Sequence, residues 1–121
     1  MANKNQVVGQ VRIIVDGTTY PTSGESTMEI GGIVREAVAG DYEAGAFKEM
    51  TQPAKCSTSL LYKPGISLSS LRDADDVTVI MDCDNGTSWI MRNAYTADMI
   101  TFSQDGKAAV VFQSGPAEEV L

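Results

Sequence analysis

The residues best equipped for chemistry in this chain of 121 residues are few, and their spacing argues against each reaction they might serve. Asp82-Cys83-Asp84-Asn85-Gly86 resembles the opening of a calcium loop. Such a loop carries glycine at its sixth position and a bidentate glutamate at its twelfth. Here Gly86 is fifth and Asn93 is twelfth, so the segment reads as a β-turn. Gly40 to Lys48 holds two glycines and a lysine but lacks the Gly-Lys-Ser/Thr ending that cradles phosphate. The chain has no histidine, which removes His-based triads, His metal sites and the commonest general base near neutral pH. Serines are plentiful without a Gly-x-Ser-x-Gly elbow. Trp89 has no basic groove in the sequence around it, which argues against stacking on nucleic-acid bases. No catalytic residue, metal ligand or cofactor site is expected.

Net charge is −7, from 16 acids and 9 bases spread along the chain. Affinity for nucleic acid comes from clustered Lys and Arg that release counterions, so this balance excludes a phosphate-gripping surface. Asp73, Asp75 and Asp76 read as a solvated helix end. The first six residues are polar and no apolar h-region follows, nor does any apolar run approach a membrane span. The expectation is a chain made and folded in a cytoplasm, without membrane binding, with Cys56 and Cys83 reduced and partly buried.

These side chains must be positioned by β structure. Asp16-Gly17, Asn85-Gly86 and Asp105-Gly106 are dipeptides that tolerate the positive φ angles of two-residue hairpin loops. A single domain over residues 1–121 is expected, mainly β, an antiparallel β-sandwich or barrel with one short α-helix. A polar arm covers 1–6. Strands run from Val7 to Val15 and on through Glu25 to Val34, with a bend at Gly31-Gly32. Residues 35–53, rich in Gly, Ala and charge, read as a long loop, either disordered or functional. The helix spans 67–76, with Ser67 as N-cap and Leu68 and Leu71 at helical spacing. Two hairpins occupy 77–95 and 98–113, and 114–121 is a polar tail with an apolar tip.

Two-residue loops would fix the registers. Around Asn85-Gly86, Asp82 then faces Trp89, Ile80 faces Met91 and Thr78 faces Asn93, all on one face, while Val79/Arg92 and Met81/Ile90 share the other. Around Asp105-Gly106, Ile100/Val111 and Phe102/Ala109 lie on one face and Met99/Phe112 on the other. A one-core antiparallel sheet should alternate apolar and polar cleanly, and here both faces carry apolar residues. Either the helix covers part of the second face in a closed sandwich or barrel, or that face packs on another subunit. Arg92, set among apolar neighbours, is expected to pair with an acid at a subunit or sheet boundary.

Asn85-Gly86 followed by Ile90-Met91-Arg92-Asn93-Ala94 resembles the C-terminal half of phage tail tube proteins of the Mu-like, contractile-tail type. The resemblance spans most of the chain. It takes in the Met-Ala-Asn arm, Val15-Asp16-Gly17, Gly32, Arg35, Gly45-x-Phe47-Lys48-Glu49, Pro53, Leu68 and Leu71, and Asp76-Val77-Thr78-Val79. It closes with Phe112-x-x-Gly115-x-Ala117-Glu118-Glu119-Val120. Phe47 stands where the family would place Tyr, and Ser88-Trp89 replaces a more aliphatic strand.

The resemblance implies a structural subunit, not an enzyme. Six copies would form a ring, and rings would stack into the tube through which the genome leaves the virion, with a continuous β-barrel around the lumen. The partners implied are further copies, a contractile sheath, and the initiator or baseplate and terminator proteins, with DNA passing unbound. Localisation would be the virion tail, assembled in the host cytoplasm. Subunit-interface candidates are Ile80, Trp89, Met91, Arg92, Ile100 and Phe102. Inter-ring candidates are Arg35, Glu36, Asp41, Tyr42, Glu43, Phe47, Lys48 and Glu49. Two other readings stay open: the inner tube of a contractile secretion or bacteriocin machine, and a monomeric acidic β-sandwich binding a small ligand or carbohydrate through Trp89 and nearby carboxylates.

Overall fold

The computed structural model describes residues 3–121, so the first two residues of the expected arm lie outside it. One continuous antiparallel sheet organises the chain. Its strands are β1 (Val11–Val15), β2 (Thr18–Tyr20), β3 (Thr27–Glu29), β6 (Ala54–Leu61), β7 (Val77–Cys83), β8 (Ser88–Phe102) and β9 (Lys107–Ser114), in the order β2-β1-β7-β8-β9-β6-β3. A last strand, β10 (Glu118–Val120), pairs with the start of β8. Two strands stand apart as a separate ribbon, β4 (Gly32–Ala37) and β5 (Phe47–Gln52).

The fifteen-residue β8 is the spine. Its first part pairs with β7 and its second with β9, so one strand serves both halves of the sheet where two separate hairpins were expected. It bends at two register shifts, near Asn93 (φ 53°) and Asp98 (φ 59°). Asn and Asp tolerate this left-handed conformation best after Gly, and the extra residues of a bulge turn a strand out of its plane. The bend brings Ile13, Val15, Val79, Met81 and Met91 against Cys56, Leu60, Val110 and Phe112 in one core. Strict alternation along β6 and β9 supplies one wall, since period-2 side chains point to one face. The sheet is open in its strand order, although Thr22 bridges Leu60 and links the segment after β2 to β6.

The helix α1 covers only Leu68–Arg72. Ser67 caps it as expected, its Oγ accepting from the Ser70 N–H at 3.3 Å. Asp73, expected inside the helix, is the C-cap. Leu71 enters the core, and the Thr96 hydroxyl donates to the Leu71 carbonyl, tying the helix to β8.

The three turns divide by chemistry. Asp16 (φ 47°) and Gly17 (φ 83°) form the expected two-residue loop, with Val15 opposite Thr18. Asp16 is free to do so because its carboxylate works across the sheet, accepting from the Thr78 N–H at 2.8 Å. The other two turns are three-residue loops. Cys83 N–H donates to the Thr87 carbonyl, and Gly86 N–H to that of Cys83; Ser103, Lys107 and Gly106 repeat the pattern. In each the carboxamide or carboxylate accepts from the N–H two residues on, Asn85 from Thr87 at 3.3 Å and Asp105 from Lys107 at 3.1 Å. That local cap favours a type I turn closed by a left-handed Gly, the G1-bulge hairpin.

One extra loop residue shifts the register by one. Ile80 therefore faces Ile90, Val79 faces Met91, and Met81 faces Trp89. A one-residue slip exchanges the two faces of a strand, so Met91 leaves the expected outer surface for the core, where it is fully buried.

Candidate assembly interface

Residues 35–53, expected as a long loop, form most of the β4–β5 hairpin. Strand pairs Arg35/Glu49 and Glu36/Lys48 are also ion pairs, both at 3.7 Å, and the Arg35 guanidinium lies 5.9 Å from the Phe47 ring centre. All four charged side chains are exposed, so each pair contributes at most about 1 kcal/mol and sets register more than stability. The two strands pack mainly on each other. Ile33, Val34, Val38 and Phe47 are all exposed, as is Tyr42 at the tip beside Asp41 and Glu43. A two-stranded ribbon is marginal in water by itself, which makes this hairpin a surface in want of a partner.

The hairpin's departure point is rigid. Gly31 has φ 77°, and a Cβ there would stand 2.6 Å from the Ala54 backbone nitrogen. Only glycine permits both the conformation and the approach. The Ala117 N–H donates to the Ile30 carbonyl at 2.9 Å, fastening the C-terminal segment to the same corner. The expected polar tail thus contains β10, and Arg92 pairs with Glu118 of that strand at 3.0 Å. That is an acid at a sheet boundary within one chain.

A second surface lies on the outer side of β1, β7 and β8. Ile14, Ile80 and Ile90 are directly opposite one another and half-buried, forming an aliphatic row across three strands. Two residues along, Arg12 faces Asp82 (4.0 Å), and Asp82 accepts from the Ser88 hydroxyl at 3.0 Å. Trp89 shares the face of Met81 and is half-buried. Ile80 and Trp89, expected together, are therefore on opposite faces. Ile14 and Ile90 were missed, and the signal that finds Ile90 is the Asn85 side chain's fit to the Thr87 N–H.

A third surface joins Ile100 and Phe102. Phe102 is exposed and tilts on Tyr62 with ring centres 5.1 Å apart, whereas Ile100 packs partly on the core. Met99, thrown outward in the Asp98 bulge, is 89% exposed.

The N-terminal segment is tethered to the β7–β8 turn. Gly9 N–H donates to the Asp84 carboxylate at 3.0 Å, and Asp84 N–H to the Gln10 carbonyl at 3.0 Å. The backbone N–H groups of Gly9 and then Gln10 hold the Asp84 carboxyl below its ordinary value. Burial pushes the Cys56 thiol up to about 12, so it is an inert core residue; Cys83 is also buried.

The chain is a wrapped antiparallel sheet that carries a free-standing hairpin. The chain superposes over its full length, and the full length of the other, on a solved structure described as "Cryo-EM Structure of an Extracellular Contractile Injection System, PVC sheath/tube terminator in extended state", with TM-score 0.64 at 12% identity. At that identity the likeness defines the fold alone.

The sequence defines the family. Residues 4–119 match the family described as "Phage tail tube protein", and the chain belongs to it. It is 28% identical over 102 residues to the Mu-like prophage FluMu tail tube protein of Haemophilus influenzae, covering 84% of this chain and 86% of that one. It is 30% identical over 94 residues to the tail tube protein of Escherichia phage Mu, covering 78% and 79%. The protein is a virion structural component of the tail, not an enzyme.

Proposed function

We propose that six copies of this chain form a ring and that rings stack into the hollow tube through which DNA is ejected. The β4–β5 hairpin carries this reading: it presents apolar side chains on a ribbon that the described residues leave uncovered. Neighbouring copies or rings would cover it, with Arg35, Glu36, Lys48 and Glu49 holding its register. The Ile14–Ile80–Ile90 row, with Arg92, Ile100 and Phe102, would supply further subunit contacts. The open sheets of six copies would close into one barrel around the lumen, removing the edges that a single chain leaves unpaired.

The net charge of −7 suits a wall past which DNA slides, since it offers phosphates few partners. A contractile sheath would surround the tube, initiator or baseplate and terminator proteins would bound it, and assembly would take place in the host cytoplasm. A phage-derived injection machine would use the same tube physics; the similarity to two Mu-type tail tube proteins favours the phage tail.

Light scattering on concentrated protein, alone and with a tail initiator complex, tests the ring. The expected particle mass is six times the 12.9 kDa chain, or multiples of that ring. A monomer at every concentration, with or without the initiator, would contradict it.

A further inference from the structure

We infer that the hairpin of one copy seats Tyr42 in the hollow between α1 and the Asp98 bulge of the next copy, an inference that rests on the stacked-ring reading and names its contact. Tyr42 is fully exposed and stands in the left-handed region at φ 64°. That conformation is uncommon for any residue but Gly, Asn or Asp, and costs a bulky side chain about 1–2 kcal/mol. Its backbone turns the chain between the bridged Gly40 and Glu43, whereas its fully solvated ring leaves its surface for another molecule. Strain of this kind persists where a projecting side chain has work to do.

The receiving hollow encloses about 440 Å³. Leu68, Met99, Ile100 and Phe102 line it, with Arg72 and Asp98 at the polar rim. Met99 is adaptable and favours aromatic contact through its sulfur, and Phe102 is already braced by Tyr62. An aromatic anchor entering an apolar pocket is the form that binding hot spots take. The Arg72 Nε contacts Asp73 at 3.2 Å, leaving its Nη groups for Asp41 or Glu43 beside the incoming tyrosine.

The hollow lies farther along the sheet than the root of the hairpin. The hairpin joins the sheet at Ala54, the start of β6. Phe102 pairs with Ala108, which lies opposite Leu60 near the end of β6. Six strand steps separate Ala54 from Leu60, about 20 Å, and the Asp98 bulge lies between the levels of Ser57 and Ser59. A knob on one element and its socket on another make a heterologous contact, which repeated from ring to ring would build an open stack.

Disulfide trapping on the full chain tests this. A Tyr42→Cys chain mixed with a Met99→Cys chain and oxidised should give covalent dimers that neither variant gives alone; the native thiols of Cys56 and Cys83 are buried. Tyr42→Ala should raise the concentration needed for stacking by about 30-fold or more with an unchanged melting temperature, while Tyr42→Phe should stack like the wild type. Tubes visible by electron microscopy but without the mixed dimer would overturn this contact and leave the tube standing. Bonding of Met99→Cys to a Val120→Cys chain instead would assign the hollow to the C-terminal strand and overturn it equally. A wild-type chain that never stacks would remove both the contact and the tube.

Discussion

Met91 and Ile80 read alike in the sequence, and the structure separates them. Met91 is fully buried, whereas Ile80 lies in the half-exposed row with Ile14 and Ile90. Met91→Asp should cost more than about 3 kcal/mol, because it buries a charge where a well-packed side chain stood. Most of a small domain's stability would be lost, and thermal denaturation followed by circular dichroism should show it. Ile80→Asp should leave the melting curve nearly unchanged and abolish particle growth in light scattering. A second residue-scale expectation concerns Asp84. Its carboxyl is lowered in the folded chain, so its contribution is present above the ordinary value of 3.8 and is lost as pH falls through the lower folded value. Protection of the Gly9 amide, measured relative to its intrinsic exchange rate, should therefore hold at neutral pH and be lost only as pH falls below the ordinary carboxylate value, and Asp84→Asn should weaken it at both.

At the scale of elements, the turns show how much was legible. Asp16-Gly17 gave its register directly, since the dipeptide's backbone preference alone decides a two-residue loop. Asn85-Gly86 and Asp105-Gly106 located their turns but not the registers, because side-chain caps onto Thr87 and Lys107 favoured one more residue. The bulges at Asn93 and Asp98 were hidden for the same reason: polar residues there stabilise a left-handed kink that no periodicity announces.

A ribbon with no core face has no reason to alternate, so in the sequence the β4–β5 hairpin looks like a loop. Its legible signal was charge: Arg35-Glu36 and Lys48-Glu49 pair crosswise in antiparallel order. Replacing residues 34–50 with a short turn should preserve the melting temperature to within a few degrees, since the ribbon packs mainly on itself. The same variant should fail to stack when assayed by sedimentation.

For the whole molecule, composition argued against His-based chemistry and phosphate binding, and the resemblance of scattered motifs pointed to the family. What the sequence could not supply was the form of the assembly surfaces, which depends on where a bent fifteen-residue strand throws Met99 and on how far a ribbon stands off the sheet. An acidic subunit must also overcome like-charge repulsion to assemble, and this repulsion is screened within about 8 Å at physiological salt. Electron microscopy of concentrated wild-type protein, beside the hairpin-trimmed variant, tests the tube most directly. Hollow tubes of stacked six-membered rings are expected from the wild type, and isolated rings at most from the trimmed chain. Wild-type protein that stays monomeric in the presence of an initiator complex, or tubes that the trimmed chain builds equally well, would contradict it.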